Sequence, residues 1–150
     1  MSAFERWSLH LAAWTTAGSG LLYGWLRYFG RRAGEFGPEP HPWQAALQHL
    51  HVLAGPLLVL ALGAVLKGHV QPLVRDGRVR AGSSGALLLA GLAPMVLGGY
   101  AVQVCSGPAW RSAWAWVHGL GSLVFLGAYL VHLARGPQPA TSVVMRPEGG

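Results

Sequence analysis

Seven histidines stand in a chain of 150 residues that is 52% hydrophobic and only 11% charged. Imidazole is the commonest metal ligand and the side chain that changes charge near neutrality. Five of the seven, His10, His51, His69, His118 and His132, fall within long apolar runs or at their ends. His49 shares a run with His51, while His41 lies between Pro40 and Pro42 and reads as a surface residue. The 14-residue step from His118 to His132 returns a helical side chain to within roughly 40° of the same face, roughly 21 Å along the axis. The 18-residue step from His51 to His69 is five turns, roughly 27 Å, with Pro56 between the two.

The runs that carry these histidines have the length of membrane spans. A soluble domain carries about 25% charged residues, and here the few charges leave four gaps: Trp7–Leu26, Trp43–Leu66, Ala81–Trp110 and Ser112–Ala134. Each gap reaches the roughly 20 residues needed to cross hydrocarbon as a helix. Barrel-like alternation is missing, and lipid leaves no water to satisfy an open backbone, so the expected elements are helices. They are expected at about 7–29, 43–69, 86–104 and 112–134, with Pro56 bending the second and Pro72 closing it. The fold class is then all-α: an integral membrane four-helix bundle over residues 1–135, followed by a flexible Pro- and Gly-bearing tail at 136–150. The first run lacks a basic leader and a small-residue cleavage site, so it reads as a retained helix rather than a signal peptide.

Depth sorts the histidines into two layers. His51 and His118 lie a turn or two inside one surface; His10, His69 and His132 lie towards the other. A bundle builds cofactor sites from side chains on facing helices, and two layers suit two stacked haems with two imidazoles each better than one bare ion. Zinc or copper would instead want three or four ligands about 2 Å from one centre. Small residues would clear space for the porphyrin: Gly55 after His51, Gly121 after His118 and Ala128 before His132. Gly20 and Gly24 suit close helix packing. The single cysteine, Cys105, excludes an internal disulfide and a thiolate cluster held by this chain alone, and no Cys-x-x-Cys-His run exists for covalent haem.

The net charge of +6 reflects loop arginines rather than nucleic-acid binding. On a four-span topology Arg6, Lys67, Arg75, Arg78, Arg80, Arg135 and Arg146 share one side, against Arg27, Arg31, Arg32 and Arg111 on the other. Seven against four puts both termini in the cytoplasm of an inner-membrane protein. Trp25, Trp43, Trp110, Trp114 and Trp116 belong to the belt at the outer interface, and Trp7 to that at the inner one.

The chain resembles the four-helix, di-haem cytochrome b subunits that anchor formate dehydrogenase and nickel–iron hydrogenase. The resemblance is carried by His10 in Arg6-Trp7-Ser8-Leu9-His10, by His51 in Gln48-His49-Leu50-His51, and by His118 and His132 at their 14-residue spacing. It implies an outer haem b on His51 and His118 and an inner haem b on His10 and His132. His69 departs from the pattern; a bundle with two ligands on each of helices 2 and 4 would pair it with His132 in place of His10. Where His10 is the ligand, His69 is expected near a quinone carbonyl.

The expected function is electron transfer between a quinone and a redox partner, either a periplasmic multihaem cytochrome c or a metalloenzyme subunit. Bis-His ligation closes both axial positions, so oxygen activation is not expected. A His-rich transporter or metal carrier, or a non-redox membrane anchor, is the rival. Proton- and cation-coupled transport commonly uses carboxylates within spans, and Glu5, Glu35, Glu39, Asp76 and Glu148 all lie outside them.

Overall fold

The computed structural model describes residues 2–77, 79 and 82–135; the expected tail at 136–150 and the basic residues Arg78, Arg80 and Arg146 lie outside the described residues. Helix α1, Ala3–Tyr28, starts four residues before the expected Trp7, at a capping box. The Ser2 hydroxyl accepts from the Glu5 N–H while the Glu5 carboxylate accepts from the Ser2 N–H. Two of the orphan donors at the helix start are satisfied in this way. The loop after α1 contains a short antiparallel hairpin, β1 (Arg32–Gly34) and β2 (Gly37–Glu39), that the polar composition did not announce. Gly37 turns it with φ of 120°, a region open to glycine.

The second long helix corrects an expectation. Helix α2, Gln44–Val65, passes through Pro56, and Pro72 does not close the element. The chain instead makes a π-helical segment, Leu66–Val70, and continues into the short helix α3, Gln71–Arg75. Proline has no N–H and its ring collides with the carbonyl four residues back. A widened turn ahead of Pro72, with the Gln71 N–H reaching the Leu66 carbonyl, accommodates that defect without breaking the rod. Helix α4, Ser84–Val104, is capped by the Ser83 side chain. Helix α5, Pro108–Arg135, starts four residues earlier than expected, because the fixed φ of Pro108 suits the first helical position.

Helices α1 and α2 pack as one antiparallel pair, α4 and α5 as another. Glycines let the second pair approach closely: a Cβ on Gly98 would lie 3.1 Å from the His118 backbone, and one on Gly121 would lie 3.2 Å from Met95 N. The core lies where the pairs meet, with Leu9 and Ala13 from α1, Leu58 and Val65 from α2, Met95 from α4, and Phe125 and Tyr129 from α5. The start of α1, the end of α3, the start of α4 and the end of α5 share one end of the bundle. Gly68 sits beside Glu5, and Ser84 bonds His132 across the second pair.

Three elements are long and apolar enough to cross a membrane: Gln44–Arg75, Ser84–Val104 and Pro108–Arg135. Their outward faces expose Leu53, Leu57, Leu60, Leu97, Leu120 and Leu123, an apolar surface far beyond what soluble monomers present. Helix α1 has the length, 26 residues or about 39 Å, but not the mean hydropathy. Its polar residues turn inward: Ser19 is buried and donates to the Thr15 carbonyl, while Leu11, Trp14, Leu22 and Trp25 face out.

Candidate functional site

The seam between the two helical pairs gathers His10, His51 and His118. His51, on α2, reaches across to α1, and its Nδ1 lies 2.9 Å from the Thr16 carbonyl. His118, on α5, reaches α4, with Nδ1 2.7 Å from the Met95 carbonyl. A carbonyl oxygen only accepts, so each Nδ1 carries the proton, and in the neutral ring each Nε2 keeps its lone pair. Holding one ring nitrogen on a carbonyl fixes the tautomer and orientation of the other for a metal. The two rings face one another across the seam with centroids 5.8 Å apart and planes at 66°.

Room for the His51 ring comes from α1. A Cβ on Gly20 would lie 2.6 Å from His51 Cε1 and 2.8 Å from Nδ1, closer than any side chain tolerates. Gly20 is therefore a clearance residue for the imidazole and not only a helix-packing one. Gly99 does the same for His118, where an added Cβ would come within 3.1 Å of the ring. Gly55, expected to make room for a porphyrin, faces open space, and an added Cβ on Gly121 would meet the α4 backbone at Met95 and Pro94. The Thr16 hydroxyl, on the residue whose carbonyl holds His51, is buried without a hydrogen-bond partner. An orphaned buried hydroxyl costs about 1–3 kcal/mol.

At the other end His10 and His132 each find a hydroxyl. His10 Nδ1 is hydrogen-bonded to the Tyr129 hydroxyl, and Tyr129 is only 6% exposed, with Trp14 against its ring. His132 Nδ1 lies 3.2 Å from Ser84 Oγ. No hydrogen bond or ring contact joins His10 to His132. A cleft of about 410 Å³ lies beside them, lined by Trp7, His10, Leu11, Trp14 and Leu133. His69 is exposed within the π segment. His49 is exposed as well, and His41 binds Arg32 and the Trp43 N–H in the loop. Among the described residues no three His, Cys, Asp or Glu side chains converge as a bare-ion site.

Sequence reasoning missed Tyr129, Thr16, Ser84 and Gly20. One signal was available for Tyr129, which precedes His132 by three residues and so shares its helix face. Comparison with family models, with curated proteins and with solved structures gave no match.

Proposed function

We propose that this chain is a membrane di-haem b-type cytochrome carrying electrons between a quinone and a redox partner. The observation that supports it most is the His51–His118 pair, with both Nδ1 protons committed to carbonyls and the rings 5.8 Å apart. Two imidazoles held in this way and this close could together hold one metal centre. The donor set fits haem iron, and Gly20 and Gly99 shape the space for it.

On this reading His51 and His118 hold the outer haem, and His10 and His132 the inner one. When bound, haem supplies reversible one-electron chemistry at iron. The chain's residues do the rest. The Thr16 and Met95 carbonyls orient the outer ligands, Tyr129 and Ser84 orient the inner ones, and Leu58, Met95 and Phe125 keep water from the seam. Two imidazoles holding each haem would confine each site to electron transfer. A quinone belongs near the inner haem, with His69 the candidate donor to its carbonyl. All four long helices span the inner membrane, α1 presenting its polar face to the bundle, as intramembrane polar groups do. The partner is a periplasmic multihaem cytochrome c or a metalloenzyme subunit.

A pyridine haemochrome assay on purified protein is expected to return about two haems b per chain, with a reducible Soret and alpha band. One haem or none overturns the di-haem reading, and a colourless protein favours the transporter. The basic asymmetry puts both termini in the cytoplasm. A periplasm-only reporter fused after Gly150 should therefore be inactive; an active one reverses the topology.

A further inference from the structure

We propose that α1 is the contact helix of a parallel homodimer, packed along its length against α1 of a second copy. The proposal depends on α1 spanning the bilayer and is independent of the haem reading. Two series with a step of seven residues alternate along the face of α1 opposite the core: Leu11, Gly18 and Trp25 in one, Trp7, Trp14 and Leu21 in the other. Phe4 and Tyr28 continue the two series at the ends. Between Trp7 and Trp25 every residue of this stripe but Gly18 is exposed, and Leu22 is the one exposed residue outside it. A seven-residue repeat keeps one stripe facing a partner helix, with each large side chain entering a hole on the other. Holes are present here. Ser8, Thr15, Ala17 and Gly24 flank the stripe, and Gly18 has open space where a Cβ would stand. Small residues so placed let two helices meet closely in lipid.

Depth decides between lipid and protein as the cover. Trp7 and Trp25 are 18 residues apart, about 27 Å of helix, and mark the two interfaces. Trp14 then lies about 10 Å deeper than Trp7, and it is 52% exposed. An indole N–H within the hydrocarbon has no water to bond. The next residue carries an acceptor at the same height, the Thr15 hydroxyl, on the flank that a facing helix covers. In a two-fold pair with its axis along the membrane normal, each copy brings the donor and the acceptor that the other needs, and both copies keep one orientation in the bilayer. The flank towards α5 holds a cleft of about 410 Å³ between Trp7, His10, Leu11, Trp14 and Leu133, open to a large side chain of the second copy. The charged residues of α1 fall outside the stripe and its flanks: Glu5 caps the helix, Arg27 donates to the Tyr23 hydroxyl, and Arg6 points off the stripe's line. Like charges therefore do not meet across the two-fold. With rings of about 150–250 Å² each, the exposed stripe offers about 800 Å² per copy, the share each partner gives to a stable interface.

The test is the oligomeric state of the full-length protein in liposomes, read by single-molecule photobleaching of a dye on a C-terminal tag as the protein is diluted into lipid. The wild type is expected to be dimeric. Gly18→Leu should weaken the dimer by about tenfold or more, because the new side chain fills the crossing point while a Cβ there meets nothing within its own copy. Gly127→Leu, the like change at an open glycine of α5, should leave the dimer unchanged. In a Cys105→Ser background, oxidation of Leu11→Cys in native membranes should give a disulfide-linked dimer, and oxidation of Leu53→Cys on α2 should give none. A monomeric wild type overturns the proposal, as does a dimer that survives Gly18→Leu. A dimer lost in Gly127→Leu overturns it too, by putting the contact on α5. So does a Leu11→Cys product that joins this chain only to one of another mass, because a partner protein then covers the stripe.

Discussion

Purified His118→Ala protein is expected to carry about half the haem of the wild type, with the loss confined to the outer site. His118 is held by the Met95 carbonyl at 2.7 Å and faces His51 at 5.8 Å, so on the proposed di-haem reading alanine would remove one of the two imidazoles holding the outer haem without touching the helix contact. That contact is made by Gly98 against the His118 backbone, which alanine preserves. His51→Ala should give the same spectrum. Gly20→Ala offers an independent check. Its methyl would enter the space of the His51 ring at 2.6 Å, so the imidazole must leave its carbonyl partner or α1 must move. A low-spin signal that weakens or broadens in Gly20→Ala, with the inner haem unchanged, is the expected outcome. An outer haem retained at full occupancy in His118→Ala removes His118 from the ligand set.

The parts of this molecule legible from the sequence are those set by local rules. Long uncharged runs announced the helices, since a span needs apolar side chains over a fixed length, and the described residues contain four long helices, three of them apolar enough to cross. Helix α1 read as an equal of the others because it lacks charge between Trp7 and Leu26; its inward Ser and Thr residues lower its mean hydropathy. Boundaries set by proline went wrong for a common reason. A proline fixes its own φ and removes one donor, but whether the chain stops depends on what the neighbouring turn does. At Pro72 the turn widened, and at Pro108 the missing N–H was one that the first turn leaves free anyway.

The site was legible only in part, because a histidine's partner is a matter of tertiary packing. Facing positions put His51 and His118 at one depth, and the structure brings their rings together. Nothing in the spacing could show that backbone carbonyls of Thr16 and Met95 would orient them. Clearance for the imidazole rings themselves comes from the helix packed opposite, through Gly20 and Gly99, which no spacing along the histidines' own helices could show.

On the proposed di-haem reading His10→Ala and His69→Ala are expected to separate completely, since only one of the two histidines would hold the inner haem with His132. His10 is part-buried on α1, and its Nδ1 meets the buried Tyr129 hydroxyl one turn before His132. His69 is exposed in the π segment and has no contact with the Tyr129 hydroxyl that holds His10. Removing His10 should therefore abolish the inner haem or leave it high-spin, with haem content falling towards half. Removing His69 should keep both haems low-spin and at most slow quinone turnover. Tyr129→Phe belongs with the first variant as a finer probe, because it deletes the hydroxyl that holds His10 and keeps the ring that fills the core. Losing a hydrogen bond to a ligating imidazole lowers that ligand's basicity, so the inner midpoint potential should rise while the outer one stays fixed. Electron paramagnetic resonance of the alanine variants decides the assignment. A low-spin signal lost in His69→Ala and intact in His10→Ala would transfer the fourth ligand to the π segment, leaving the outer pair on His51 and His118.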